Sequence, residues 1–207
     1  MRKNKSLLLL VSIVFLVIVF KLIFNSAPQY LETLNSSPDI SKEQILELES
    51  VRVDIISDVI WKVILVFIAI TLALIFPYID YLIYAFYLHP NEPVSHQVQE
   101  LFSRRHFVKM FQTMDSEHSN FNKLTINSVH FQALLIFLGL YIILTYSQIF
   151  GLAFLSTLII VLSFRLNKFK FLSHNWFWIY KGQVTERFIS FWVALNIFFA
   201  IAYSLFI

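Results

Sequence analysis

A chain of 207 residues that is 58% apolar and only 14% charged, with a mean hydropathy of +0.71, lies outside the composition of a water-soluble domain, where about half the residues are apolar and about a quarter charged. Four or five apolar runs of about 20 residues would occupy about half of it, leaving no room for a separate catalytic domain of roughly 100 residues. The lack of cysteine excludes disulfides, thiolate metal sites, cysteine nucleophiles and S-acylation, and the net charge of +3 is informative only through its placement along the chain.

The composition predicts an all-α polytopic integral membrane protein with about five transmembrane helices, the amino terminus inside and the carboxyl terminus outside. The first span covers residues 6–24, preceded by Arg2, Lys3 and Lys5, with Lys21 placed to snorkel at its far end. A cleaved signal peptide is disfavoured. The only small-residue cleavage site ends at Ala27, with Asn25 two residues before it and Pro28 directly after, and Lys21 interrupts the apolar run, so a retained anchor is expected.

Residues 25–58 hold seven acids against Lys42 and Arg52, a net charge of −5, and are expected outside as a helical segment. Pro38 and Asp39 after Ser37, or Ser41 with Gln44, give a helix start, and no Gly or Pro follows until Pro77. One helix is therefore expected to run from the acidic segment into the second span, 59–80, which Trp61 and Lys62 open. Glu43, Glu47 and Glu49 in that outer helix are candidates for contact with a protein partner. Tyr78, Tyr81, Tyr84 and Tyr87 recur every third residue at the other end and read as an aromatic belt, after which His89, Pro90 and Pro93 end the helix.

Residues 89–128 form an inner polar loop. Val94, Val98, Leu101 and Phe102 share one helical face, whereas Phe107, Met110, Phe111 and Met114 share nearly the opposite one, so two short helices are expected in place of one straight surface helix. The apolar run 129–164 is too long for one crossing and reads as a hairpin of two spans, 129–147 and 149–164, turning at Thr145–Gln148. Residues 165–187 interleave Arg165, Lys168, Lys170 and Lys181 with aromatics, as in a chain lying at an inner headgroup layer, and 188–207 is the last span. In this arrangement twelve of sixteen basic residues face inward, which sets the orientation. The bias to Lys over Arg and to Phe over Gly (23 against 3) is that of an AT-rich genome, so the expected location is a bacterial cytoplasmic membrane.

Three groups are candidates for chemistry. Asp80, with Pro77 one turn before it, is either a proton or cation site in the bilayer or an interfacial carboxylate bonded to Tyr84. His96 and Glu100 at i, i+4, together with His118, form a weak nitrogen and oxygen metal set, although no His pair at i, i+4 and no HExxH occurs. Asn196, Gln132 and Gln148 are expected to bond between helices. Gly139, Gly151 and Gly182 form neither GxSxG nor a phosphate-cradling loop, so no cofactor is expected. Low glycine also weighs against a self-sufficient transporter. The expected function is non-enzymatic: binding another protein in or beside the bilayer, as an accessory, assembly or immunity protein. The alternatives are a transporter or channel component using Asp80, and a metal-dependent membrane enzyme. Expected partners are membrane lipid and either a membrane protein or a second copy of the chain, with no nucleic acid.

Overall fold

The computed structural model describes residues 11–13, 15–24, 42–121, 124–145, 148–169, 176–177 and 184–206, with side chains in the 42–58 stretch described only at 53, 54 and 56–58. Among these residues the regular structure is entirely helical. Helix α1 is Val11–Phe24. Helix α2, Lys42–Ile83, runs 42 residues without interruption and passes directly into a π-helical turn, Tyr84–Leu88. Two short helices follow, α3 (Pro93–Ser103) and α4 (Phe107–Ser116), then a 3-10 turn, His118–Asn120. The remaining helices are α5 (Val129–Thr145), α6 (Ile149–Lys168) and α7 (Glu186–Leu205). Three segments, Ile56–Leu88, α6 and α7, are long and apolar enough to cross a membrane, while α1 and α5 are shorter apolar helices.

Local chemistry explains most of the boundaries. Pro93 begins α3, where its missing N–H would be unpaired in any case. Arg105, at φ 57, makes the left-handed corner that separates α3 from α4. Ser128 accepts from the Phe131 amide at 3.2 Å to cap α5, and Thr185 accepts from the Phe188 amide at 3.3 Å to cap α7. The switch of apolar face is resolved by this corner, since α3 buries Val94 and Val98 and α4 buries Met110 and Met114 in one cluster.

Helix α6 is the centre of the bundle, with thirteen of its twenty residues buried against five of twenty in α7. Around it pack Ile18 and Leu22 of α1, Ala69 and Ala73 of α2, Leu135 and Ile136 of α5, and Ala200 and Tyr203 of α7. Lipid offers little hydrophobic drive between helices, so small residues and polar contacts hold them together. Ala69 and Ala73 let α2 approach closely, and buried Ser163 returns its hydroxyl to the Ile159 carbonyl at 2.7 Å. Between α5 and α7, Gln132 Oε1 accepts from Trp192 Nε1 at 2.9 Å and from Asn196 Nδ2 at 2.6 Å. Further along, the Tyr203 hydroxyl donates to the Ile136 carbonyl, and Lys21 Nζ donates to the Leu205 carbonyl, joining the ends of α1 and α7.

Two expectations change. The helix of the second span does not stop at Asp80, because Tyr81, Tyr84 and Ala85 are buried against Val94, Val98, Met110 and Phe121, which sustains helical structure to Leu88. For the same reason the four tyrosines are not a belt: Tyr81 and Tyr84 are core residues, and only Tyr87 is widely exposed. The expected helix start near Pro38, the turn residues 146–147 and most of the 165–187 segment lie outside the described residues.

A methyl group on Gly139 would fall on the ring of Tyr203, which its hydrogen bond to Ile136 holds in place, whereas one on Gly151 would meet Ile142 Cδ1 at an ordinary 3.5 Å. Gly139→Ala should therefore lower stability by about 1–3 kcal/mol and Gly151→Ala by less than about 0.5 kcal/mol. Thermal unfolding in detergent, followed by circular dichroism, separates the two.

Candidate functional site

The polar residues of the bundle gather where α2, α4, α6 and the loop before α5 meet. Two clusters form there, one around Arg165 and one around Asp80.

Arg165 lies one turn before the end of α6, a position that favours a cation through the helix dipole, and it is buried. An unpaired guanidinium there would be prohibitive. Its Nη2 donates to Asp115 Oδ1 of α4 at 3.0 Å and to the Tyr81 hydroxyl of α2 at 2.6 Å. The guanidinium carbon also sits 4.7 Å from the ring centre of Tyr78 and 5.1 Å from that of Tyr81, within cation–π range. Lys168 adds a partly exposed contact to Asp115 Oδ2 at 3.4 Å.

The Tyr81 oxygen is 2.5 Å from His118 Nδ1. Because a guanidinium only donates, Tyr81 accepts from Arg165 and directs its single hydrogen to Nδ1, which leaves His118 neutral with its hydrogen on Nε2. His118 is sandwiched by aromatics, stacked on Phe169 at 4.1 Å between ring centres and with Trp176 at 5.9 Å. Burial first, and then the positive charges of Arg165 and Lys168, push its pKa from 6.5 down to about 3. His118 Nε2, Arg165 Nε and Trp176 Nε1 are buried with no hydrogen-bond partner among the described residues. The arrangement Asp115, Arg165, Tyr81, His118 thus ties four segments together around one charge and holds a histidine in its neutral form.

Asp80 faces the loop before α5. Its Oδ1 accepts from the Thr125 amide at 3.1 Å, and Oδ2 accepts from the Asn127 amide at 3.0 Å and Asn127 Nδ2 at 3.3 Å. Asn127 Nδ2 also donates to the Pro77 carbonyl at 2.9 Å. The carboxylate thus acts as an acceptor for a turn of backbone N–H groups, which fixes the entry to α5. The expected pairing of Asp80 with Tyr84 is replaced by this contact. Tyr84 donates to Glu92 Oε2 at 2.8 Å instead.

The other candidates are dispersed. His96 and Glu100 are exposed on α3, with Glu100 paired to Arg104 at 2.6 Å, while His118 is buried with its Nδ1 engaged by Tyr81. Among the described residues no group of three His, Cys, Asp or Glu side chains is placed to hold a metal ion. Asn196 meets Gln132 within the α5–α7 contact. The side chains of Glu43, Glu47 and Glu49 lie outside the described ones. The Arg165 cluster was not legible as a unit in the sequence. Its one signal is a lone arginine inside the end of an apolar run, which has to find an acid elsewhere. No known protein family, characterised protein or solved structure matches this chain.

Two outcomes follow. A folded-state pKa below the unfolded 6.5 means that the folded chain binds fewer protons than the unfolded one at acid pH. Stability from His118 is therefore complete above about pH 6.5 and falls by about 1.4 kcal/mol per unit as pH drops toward 3. His118→Phe, which keeps the aromatic stacking, should flatten this slope relative to the unmodified protein when unfolding in detergent is measured between about pH 7.5 and 4.5. Separately, Asp80→Ala leaves the buried Asn127 amide and the part-buried Thr125 amide unpaired and should destabilise by on the order of 3 kcal/mol. Hydrogen exchange at the Thr125 and Asn127 amides should rise in this variant.

Proposed function

We propose that this is a five-span membrane protein of a bacterial cytoplasmic membrane, amino terminus inside and carboxyl terminus outside, which acts by binding another protein in or beside the bilayer. Support for the topology comes from two pairs of helix ends. The ends of α1 and α7 meet through Lys21 and Leu205, as they must if both reach the outer face, and Asp80 near the end of α2 meets the start of α5. The inward placement of twelve of sixteen basic residues sets the direction.

The observation that carries the binding role is the length of α2. At 1.5 Å per residue its 42 residues extend roughly 63 Å, twice the hydrocarbon thickness of about 30 Å, so a rigid helical arm stands clear of the membrane. Val53 on that arm, and Ile56 and Ile60 where it passes into the apolar segment, are exposed at helical spacing, with exposed Asp54 and Asp58 beside them. Apolar residues in a row flanked by acids form a surface suited to a partner helix. An accessory, assembly or immunity protein would need such a surface and no catalytic group.

The transport alternative asks for a carboxylate open to a path. Both oxygens of Asp80 already accept hydrogen bonds from the chain itself, and no observation favours that reading.

Purification of the tagged chain from its native membrane in mild detergent should retain a protein in fixed stoichiometry. Reversal of charge at Glu43, Glu47 and Glu49 should release that protein while leaving the thermal unfolding of the chain unchanged. A chain purified alone would defeat the binding role. Independently, a reporter fused at Ile207 should be found outside, and a cytoplasmic reporter would defeat the five-span topology.

A further inference from the structure

The corner between α3 and α4 combines a chain of exposed aromatic rings with exposed basic side chains. Phe86, from the π-helical turn, packs edge-on against Phe102 at 5.3 Å, and Phe102 packs edge-on against Phe107 at 5.9 Å. Each ring touches the next, yet all three stay exposed, by 37%, 44% and 46%, and the adjoining Val108 is 72% exposed. In the same corner Arg104, Arg105 and Lys109 are exposed, and residues 101–114 contain no acid.

This patch continues the outward face of α2. Leu72, Ile75, Ile79, Ile83 and Phe86 are exposed and follow one another at three- and four-residue spacing, so the surface α2 turns to lipid leads without a break onto Phe102 and Phe107. About 20 residues from Trp61, at roughly 1.5 Å each, use up the hydrocarbon near Tyr81, which leaves Phe86 within the headgroup layer about 8 Å further on. An amphipathic corner at that depth, apolar on one side and basic along its edge, has the chemistry of an interfacial anchor.

We propose that the α3–α4 corner is a lipid-binding surface that lies on the membrane α2 crosses, with Phe102, Phe107 and Val108 entering the headgroup and acyl boundary and Arg104, Arg105 and Lys109 contacting anionic phospholipid headgroups. The Arg104–Glu100 pair is exposed, so exchanging the carboxylate for a lipid phosphate leaves no charge buried. The proposal needs α2 to cross the membrane and is independent of what the outer arm binds.

The natural absence of cysteine makes the test direct, since a single introduced thiol carries the only label. Val108→Cys and, as a control on an exposed position of α3, Gln97→Cys are each labelled with an environment-sensitive fluorophore. The full chain is reconstituted in phosphatidylcholine vesicles with and without phosphatidylglycerol. The label at 108 should be quenched by spin-labelled lipid at least twofold more than the label at 97, and shielded from iodide supplied on both sides. Arg104→Gln together with Arg105→Gln should remove the part of this shielding that depends on phosphatidylglycerol. Iodide quenching at 108 equal to that at 97 would overturn the proposal. Shielding from both quenchers would overturn it too, by showing that protein covers the corner.

Discussion

One buried positive charge organises the polar end of this protein. Arg165 ends the central helix among apolar neighbours, and a guanidinium in that setting is tolerated only if its donors are met. Asp115 supplies the opposite charge, Tyr81 an oxygen, and the rings of Tyr78 and Tyr81 a negative face. Together with Arg165 those residues belong to three different helices. Each contact meets part of the arginine's charge and Asp115 supplies its counter-charge, so α2, α4 and α6 are tied together by electrostatics as well as by packing. His118 extends the chain of contacts to a fourth segment and stays neutral because it is buried and because the charges beside it are already positive.

The same logic recurs with the sign reversed at Asp80, whose charge is met by backbone amides of the loop that leads into α5. Among the described residues the groups that meet this charge are hydrogen-bond donors of the chain and not a cation. The loop bends so that consecutive N–H groups converge on the carboxylate, and Asn127 couples that bend to the Pro77 carbonyl. Further into the bundle the contacts become neutral, with Gln132 serving both Trp192 and Asn196. Polarity thus falls from charged pairs at one end to amides and a tyrosine hydroxyl along α5 and α7, the gradient expected of side chains sampling a bilayer from headgroups to hydrocarbon.

This distribution also bears on function. The ionisable groups inside the bundle are engaged in holding helices together, and the groups available to other molecules lie at its two ends. One end offers the acidic, partly apolar arm of α2. The other offers the basic, aromatic corner between α3 and α4. The two proposals draw on these opposite charges, with an anionic leaflet on one side and a protein partner on the other.

The sequence by itself determined the membrane-helical class, the continuous helix running into the apolar segment after Trp61 and the break of the loop between α2 and α5 into two short helices. Each rests on local quantities: the length of an apolar run, the spacing of Pro and Gly, the change of apolar face between Phe102 and Phe107. Tertiary structure alone decided that Tyr81 and Tyr84 are core residues, that Asp80 serves a loop 45 residues away and that Arg165 and Asp115 form a pair 50 residues apart. A tyrosine at a membrane boundary has the same sequence context whether lipid headgroups or a folded helical pair covers it. A buried charge announces that it needs a partner, but only the packing of distant helices determines which residue comes within reach.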